Sequence, residues 1–385
     1  MKFFALSCLV AFTLLGSTSA KNSDIDNLIV KYGYAVEIHN VITRDGFTLI
    51  LHRIPGGRKK SPTKNKKNPV LLMHGFYGSS MNWVVKGPEK DYAFMLADAG
   101  YDVWLGNSRG NQYSKKPTKS SANSHEDIDK FSYHEIGIYD VPDSVDKILN
   151  VTGHNKLIYL CWAQGFTSFL AMGYKRPTHY DKIAAAYVLS PVTNMYKIKS
   201  PFVALAKKIP WIIFPPLRLI EGADFSGVWK FCRLPILKYF CAELAHLFGY
   251  SYGQLDYALV PHAFTNFPVR ISIRQWEHYL QGASSGKFRP YDYGEKKNWQ
   301  VYNHSEPTSY DLSIVKTPIS IYYGEDDWWV NNEILFSSVV SQLPNVVKTY
   351  LIPLPKFNHL DGLYGKNISI LTNEVVKDIS NYNNN

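Results

Sequence analysis

Short apolar segments with the length of buried β-strands alternate with helix-like segments along most of this 385-residue chain. Strands are predicted at residues 70–73, 101–105, 157–160, 184–189, 319–323 and 349–352, and helices at residues 91–99, 135–149, from 164 onward and at 368–380. Residues 37–53 are predicted to form a β-hairpin around the turn dipeptide Asp45-Gly46. Apolar strands that alternate with helices favour a mainly parallel sheet covered by helices on both faces. The predicted fold class is therefore α/β.

The alternation stops between residues 191 and 307, an interval that is rich in aromatic residues, Leu, Ile and Pro. We interpret residues 191–307 as a cap inserted into a core formed by residues 21–190 and 308–385. A cap at this place would cover the carboxyl ends of the strands, where open α/β sheets bind ligands. Several apolar cap residues are predicted to form either the core of the cap or a face toward lipid: Phe202, Leu205, Trp211, Ile213 and Phe214.

The first twenty residues have the pattern of a secretory signal peptide, residues 1–20. A basic residue at Lys2 precedes an apolar run at residues 3–15 and a small-residue cleavage site at residues 16–20. The apolar run is short for a transmembrane helix, and no later segment qualifies as one. We expect a protein of the extracellular space, with the lysosomal lumen as the alternative. In such a compartment Cys232 and Cys241 are expected to form a local disulfide. Asparagines in three sequons are expected to be glycosylated: Asn150, Asn303 and Asn367.

The formal net charge is +10, and part of the excess lies in residues 58–67. We interpret this segment as a solvated loop between strands, with an anionic membrane or a polysaccharide as the alternative partner. Aromatic residues do not interleave with these lysines, so nucleic acid is not predicted as a partner. The spacing of His and Cys predicts no metal site. No glycine-rich phosphate loop is found, so no cofactor is predicted.

The segment after the predicted strand 157–160 reads Cys161-Trp162-Ala163-Gln164-Gly165. At this place, a serine hydrolase has a sharp strand-to-helix turn that carries Gly-x-Ser-x-Gly and exposes the nucleophilic serine. The central residue here is Ala163, which has no oxygen that could attack an ester. The pattern alone is also compatible with an ordinary strand–helix turn.

Two further residues follow strands in the order that such a turn requires. Asp327 comes after the strand 319–323, and His359 comes after the last strand. The chain order Ala163, Asp327, His359 is the order of nucleophile, acid and histidine in α/β hydrolases. Three nearby carboxylates are alternatives for the acid: Glu325, Asp326 and Asp361.

The segment Met73-His74-Gly75-Phe76 follows an early buried strand. The backbone N–H groups of Phe76 and Gln164 are predicted to form an oxyanion hole over the turn. Because these donors are backbone groups, the change at Ala163 does not remove them. Cys161 is expected to point away from the cleft, and Ser79 and Ser80 are expected to be structural.

Three stretches resemble the acid lipase family, which includes gastric and lysosomal acid lipases and their insect relatives. The most specific stretch is residues 96–111, LADAGYDVWLGNSRGN, and the others are residues 131–137, FSYHEIG, and His359-Leu360-Asp361. The resemblance covers nearly the whole chain after the signal. It implies an α/β-hydrolase core, a lid-bearing cap with a bridge between Cys232 and Cys241, and action on neutral lipid esters. It gives Asp327 and His359 the acid and histidine roles, and Phe76 and Gln164 the oxyanion positions.

The chain departs from this family at the turn, where the family has Gly-His-Ser-Gln-Gly. Changes at three of these five positions indicate natural loss of selection for acyl transfer. We therefore expect a protein that binds a neutral lipid or fatty-acyl ester but has lost hydrolysis by a serine nucleophile. One alternative is a weak hydrolase that uses water or a non-standard nucleophile, and another is a structural secretory protein with a vestigial cleft.

Overall fold

The computed structural model of the protein describes residues 23–58, 68–114, 130–208, 232, 234, 236–259 and 272–382. The predicted signal peptide, residues 1–20, lies outside the described residues. The same holds for residues 59–67 of the basic segment, for Trp211, Ile213 and Phe214, and for the side chain of Phe202. None of the helices in the described ranges is long and apolar enough to span a membrane.

Eight strands form one sheet in the order β1-β2-β4-β3-β5-β6-β7-β8. The strands are β1 Glu37–Ile42, β2 Thr48–Ile54, β3 Val70–Met73, β4 Val103–Leu105, β5 Leu157–Trp162, β6 Ile183–Leu189, β7 Ile319–Tyr323 and β8 Val346–Leu351. The pairs β1–β2 and β2–β4 are antiparallel, and all the other pairs are parallel. Strands β3, β5 and β6 are buried along their whole length, as expected for parallel strands covered on both faces. The predicted α/β class is confirmed.

Helices connect the parallel strands and surround the sheet. They are α1 Ser23–Lys31, α2 Tyr92–Asp98, α3 Tyr133–Glu135, α4 Val141–Thr152, α5 Gln164–Met172, α6 Pro201–Lys208, α7 Leu237–Leu247, α8 Ile273–Ser285, α9 Glu295–Tyr302, α10 Asn332–Ser338, α11 Asp361–Tyr364 and α12 Ser369–Tyr382. A π-helical segment, Ile136–Asp140, joins α3 to α4, so these form one continuous helical stretch. Short 3₁₀ helices lie at Ser80–Trp83, Pro177–Lys182 and Val340–Gln342.

The predicted bounds match the largely buried strand β7 more closely than the edge strand β8. The hairpin at residues 37–53 is present, and β7 occupies the predicted residues. The prediction placed β8 at residues 349–352, whereas the strand is Val346–Leu351. This strand lies at the edge of the sheet and alternates between half-buried and exposed residues. Its first half therefore lacks the continuous apolar run that marks the buried strands.

A buried ion cluster ties the first hairpin to the helical stretch before β5. The Arg109 guanidinium donates to the Asp140 carboxylate at 2.8 Å and to the Asp45 carboxylate at 2.6 and 2.9 Å. The side chain of Arg109 is 2% exposed, and that of Asp140 is fully buried. The guanidinium also lies 4.1 Å from the centre of the Phe47 ring. Such a cluster is stable only while every charge in it has its partner.

We expect Arg109→Met to lower the free energy of unfolding by about 3–5 kcal/mol, because it leaves a buried carboxylate without its cation. The measurement is urea denaturation at neutral pH. The matched control is Arg58→Met, which removes an exposed ion pair with Asp98 and should lose far less stability. Equal losses in the two variants would contradict a specific role for the buried cluster.

Candidate functional site

Ala163 occupies a sharp turn between β5 and α5. Its backbone has φ 52° and ψ −114°, outside the conformations that alanine favours. Strain of this kind costs about 1–3 kcal/mol and persists only where the surrounding structure enforces it. The Ala163 N–H donates to the Leu189 carbonyl at 3.0 Å, and its carbonyl accepts from the Phe166 N–H at 3.0 Å. The turn predicted from the sequence is therefore present, with a methyl group at its apex.

The structure brings Asp327 and His359 together. His359 Nδ1 lies 2.9 Å from Asp327 Oδ2 and 3.1 Å from Asp327 Oδ1. Both residues are buried. The Asn358 side-chain oxygen accepts from the His359 N–H at 2.8 Å and from the Trp328 N–H at 3.0 Å, so this residue joins the two loops. The carboxylate and the imidazole are held as the sequence predicted, while their chemical roles remain predictions.

The three alternative carboxylates make other contacts. Asp326 forms an ion pair with Lys199 at the surface, with 2.8 Å between Oδ1 and Nζ. Glu325 is exposed. Asp361 is buried and accepts from the N–H groups of Asn358 and Ser251 at 2.8 and 3.2 Å, and burial raises its pKa to about 7. Asp327 is therefore the best candidate for the acid among the four.

The oxyanion-loop residue Gly75 packs directly on the turn. A Cβ at Gly75 would lie 2.5 Å from the Trp162 ring and 2.9 Å from Ala163 Cβ, so only glycine fits there. His74 Nδ1 donates to the Gly75 carbonyl at 2.7 Å, while His74 Nε2 accepts from the Ser108 N–H at 3.1 Å. Because the C=O and N–H of a trans peptide point in opposite directions, this hydrogen bond also fixes the direction of the Phe76 N–H.

Burial lowers the pKa of His74 to about 4, from an ordinary value of 6.5. Between these two values the folded state binds fewer protons than the unfolded state, so His74 makes the protein less stable as the pH falls through this window. In His74→Asn, the amide can replace the Nδ1–H donor without titrating. We expect the stability of the native chain relative to this variant to fall by about 3 kcal/mol between pH 7 and pH 4. Urea denaturation across the pH range measures this, and parallel pH profiles would contradict it.

Gln164, the second predicted oxyanion residue, is the first residue of α5. Its backbone N–H belongs to the first turn, where helical N–H groups have no partner within the helix. Its side-chain amide donates to the Gln275 side-chain oxygen of α8 at 2.9 Å, which ties the turn to the predicted cap. Both predicted oxyanion residues therefore lie beside Ala163, with their backbone donors unaffected by the side chain at residue 163.

Ala163, His359, Phe76 and Gln164 line one cleft of about 430 Å³, a volume that includes the part open to solvent. The other lining residues are apolar or aromatic: Tyr77, Trp162, Val192, Met195, Phe248, Tyr279, Trp329 and Leu360. Trp162 Nε1 donates to the His359 carbonyl at 3.3 Å, and the centres of the two rings lie 4.9 Å apart. The sequence did not predict roles for Tyr77, Tyr279, Trp329 and Asn358. Three of them, Tyr77, Trp329 and Asn358, lie within two residues of a predicted site residue, whereas Tyr279 had no such signal.

Other nucleophiles near the turn are inside the protein core. Cys161 is unpaired and fully buried in β5, and burial raises the pKa of its thiol well above the ordinary value. Ser80 Oγ lies 3.0 Å from His52 Nδ1, but both residues are buried away from the cleft. Ser79 caps the short helix that contains Ser80. These positions agree with the structural roles expected for the two serines.

The remaining predicted sites are at the surface or in the cap region. Cys232 and Cys241 form a disulfide. The three sequon asparagines, Asn150, Asn303 and Asn367, are all exposed. Among the residues that the structure describes, no group of His, Cys, Asp or Glu could hold a metal ion.

The sheet order, the strained turn and the Asp–His pair after the last two strands are those of the α/β-hydrolase fold. A model of the α/β hydrolase fold matches residues 68–213, and a model of the partial α/β-hydrolase lipase region matches residues 25–87. The structure resembles that of a thermophilic esterase from Thermogutta terrifontis, with a TM-score of 0.51, 13% identity and coverage of 90% of this chain and 99% of that chain. This likeness concerns the fold alone.

Sequence similarity gives the family. Lipase 3 of Drosophila melanogaster is 36% identical to this chain, over 97% of each protein. Gastric triacylglycerol lipase of Bos taurus is 33% identical, over 92% of this chain and 91% of its own length. Lysosomal acid lipase/cholesteryl ester hydrolase of Macaca fascicularis is 32% identical, over 95% of each. The chain belongs to the acid lipase family, which confirms the resemblance found in the sequence.

Proposed function

We propose that this protein binds a neutral lipid or ester in the cleft above Ala163 and does not cleave it through an acyl-enzyme. The observation that carries the proposal is the methyl group at the apex of the turn. Without a hydroxyl there, no acyl-enzyme forms, and His359 has no serine proton to accept. Loss of the nucleophile in a triad enzyme costs about 10⁶-fold in turnover. Ala163 then marks the nucleophile position, with Asp327, His359 and the N–H groups of Phe76 and Gln164 retained around it.

The preserved geometry favours binding over a purely structural role. The strained backbone at Ala163, the buried Asp327–His359 pair and the glycine packed against the turn are each costly or restrictive to maintain. The cleft between them is concave and mostly apolar, as small-molecule sites are. Donors at the oxyanion position can hold a carbonyl oxygen whether or not a reaction follows.

A second candidate function is slow hydrolysis by water. His359 and Ala163 line the same cleft, so a water molecule beside the methyl group could be activated by His359. Oxyanion binding without the triad still gives about 10³–10⁴-fold acceleration over water. This activity would depend on His359, which distinguishes it from binding alone.

Lipid analysis of the purified protein tests the proposal. We expect an intact ester to co-purify or to be taken up from an emulsion, and to be found by mass spectrometry. Val192→Phe places a ring in the cleft and should reduce the amount of bound ester. Val347→Phe, on the exposed face of β8, is the matched control and should bind as the native chain does. If the native chain contains no ester and takes none up, a purely structural role would be favoured over binding.

We further propose that residues 191–307 form a cap that contacts a lipid surface. Four large apolar residues of the described part are exposed near the disulfide: Leu234, Ile236, Tyr239 and Phe240, at 55, 83, 55 and 45%. The Cys232–Cys241 bridge encloses this segment and limits its freedom. Of the apolar cap residues predicted to face either the cap core or lipid, Leu205 is the one whose side chain the structure describes. This side chain is 51% exposed.

A charge on this face should weaken binding to a triacylglycerol emulsion. We expect Ile236→Glu to reduce the bound fraction about tenfold, because burial of one such side chain contributes about 1.5–3 kcal/mol. Flotation with the emulsion measures the bound protein. Val347→Glu carries the same charge change on an exposed apolar residue outside the cap, and its binding should be unchanged. Equal losses in both variants would contradict the cap as the contact face.

We propose a secreted, glycosylated protein, with the lysosomal lumen as the alternative destination. The disulfide, the exposed sequons and the similarity to gastric and lysosomal lipases support either compartment. Release of the sugar chains by a glycosidase, followed by mass analysis of Asn150, Asn303 and Asn367, tests the modification.

A further inference from the structure

The wall of the cleft is dominated by aromatic rings, and this points to a particular class of ligand. Six of its lining residues are aromatic: Phe76, Tyr77, Trp162, Phe248, Tyr279 and Trp329. The centre of the Phe76 ring lies 4.1 Å from that of Tyr77 and 5.9 Å from that of Tyr279. The centres of the Trp162 and Trp329 rings lie 4.9 and 6.3 Å from the centre of the His359 ring.

The polar groups of these aromatic residues are already bonded within the protein. The Tyr279 hydroxyl donates to Thr167 Oγ1 at 3.1 Å, and the Tyr77 hydroxyl accepts from Trp276 Nε1. The indole N–H of Trp329 donates to the Phe248 carbonyl at 2.9 Å, as that of Trp162 does to the His359 carbonyl. These bonds fix the rings in place, so they offer the ligand ring faces and edges rather than hydrogen bonds.

The charge of the lining indicates a neutral ligand. Among the described residues that line the cleft, none is Asp, Glu, Lys or Arg, and Asp327 is bonded to His359 behind the wall. A cation would lose its hydration here without gaining a carboxylate. The polar residues that line the cleft are His359 and Gln164, and the two backbone N–H groups predicted for the oxyanion position suit a carbonyl oxygen.

We propose that the natural ligand is a neutral carbonyl compound, an ester or ketone, that carries an aromatic ring. This inference rests on the proposed binding function of the cleft. The carbonyl oxygen lies at the oxyanion donors, and the ring packs among Phe76, Tyr279 and Trp329. Without a nucleophile at Ala163, the compound is retained rather than cleaved.

Calorimetry on the native protein tests the proposal. It measures the equilibrium binding of three acetate esters that have equal numbers of non-hydrogen atoms. We expect benzyl acetate to bind about tenfold more tightly than heptyl acetate, because stacked and edge-to-face ring pairs add about 0.5–1.5 kcal/mol each. Cyclohexylmethyl acetate separates ring shape from aromatic contact and should bind no better than heptyl acetate. Equal affinity for all three, or for the two ring compounds, overturns the proposal.

A further ligand tests charge. Acetylcholine should bind more weakly than benzyl acetate, and tighter binding of acetylcholine overturns the proposal. If no ester binds at all, the proposed binding function fails and this inference fails with it. If heptyl acetate binds tightly and benzyl acetate binds no better, the proposed binding function stands and only this inference fails.

A matched pair of substitutions locates the effect. Phe76→Leu keeps an apolar side chain and the backbone donor but removes the ring, so the preference for benzyl over heptyl acetate should fall from about tenfold to about threefold or less. Phe336→Leu makes the same change at a half-buried ring of α10 that does not line the cleft, and should keep the tenfold preference. An unchanged preference in Phe76→Leu overturns the assignment, and thermal unfolding of both variants verifies that they are folded.

Discussion

Replacement of Ala163 by Ser is expected to raise the turnover of a short-chain ester by at least about 100-fold, within the roughly 10⁶-fold that a complete triad contributes. The added Oγ would project from a backbone that already has the strained φ of 52°. His359, which would accept its proton, lines the same cleft and is already bonded to Asp327. Full activity is not expected, because Cys161 and Trp162 also differ from the family's Gly-His at the turn. The measurement is p-nitrophenyl butyrate hydrolysis by purified native protein and variant.

Ala204→Ser is the matched control for this gain. It introduces the same hydroxyl on an exposed residue of α6 and should leave turnover at the native level. An Ala163→Ser variant that is folded but no faster than the native chain would indicate that the site has lost more than its nucleophile. High turnover by the native chain would place the nucleophile elsewhere.

His359→Ala is expected to have a large effect on turnover in the Ala163→Ser variant and a small effect in the native chain. In Ala163→Ser it should remove nearly all of the gained activity, because a serine without its base loses about as much as a triad without its serine. In the native chain it should change the residual turnover less than about threefold, because a binding site without a nucleophile has no proton transfer for His359 to perform.

The same pair of variants separates binding from hydrolysis by water. A large loss of turnover in the native background would identify His359 as the base for a water molecule, and the second candidate function would replace the first. Removal of the Asp327 carboxylate should change turnover in the same direction as removal of the His359 imidazole in both backgrounds. The reason is that Asp327 holds the imidazole in its orientation.

The sequence predicted the parts of the site that follow strands. Ala163 and Asp327 follow β5 and β7, whose apolar runs are easy to recognise, and His359 follows the last strand in the chain order of α/β hydrolases. The sequence favoured Asp327 and left Glu325, Asp326 and Asp361 as alternatives, and the contacts of Asp327 and Asp361 distinguish these two only in the structure. Their hydrogen bonds differ, and loop conformation rather than periodicity decides those bonds.

The aromatic wall was beyond sequence reasoning. Phe248 follows α7 in the middle of the predicted cap, Tyr279 lies in α8 and Trp329 lies in the loop after β7, so no local pattern connects them. Trp162 was recognised as a departure from the family, but its contact with the His359 ring and its packing on Gly75 follow only from the folded chain. Such convergence of distant residues depends on how the cap and the loops pack, which hydrophobic periodicity does not specify.

A fluorophosphonate probe tests the central claim most directly, because it forms a covalent adduct only with an activated nucleophile. We expect intact-protein mass spectrometry to find no adduct on the native chain, and one adduct at residue 163 of the Ala163→Ser variant. An adduct on the native protein within the cleft, formed at a rate comparable to that of the variant, would contradict the account.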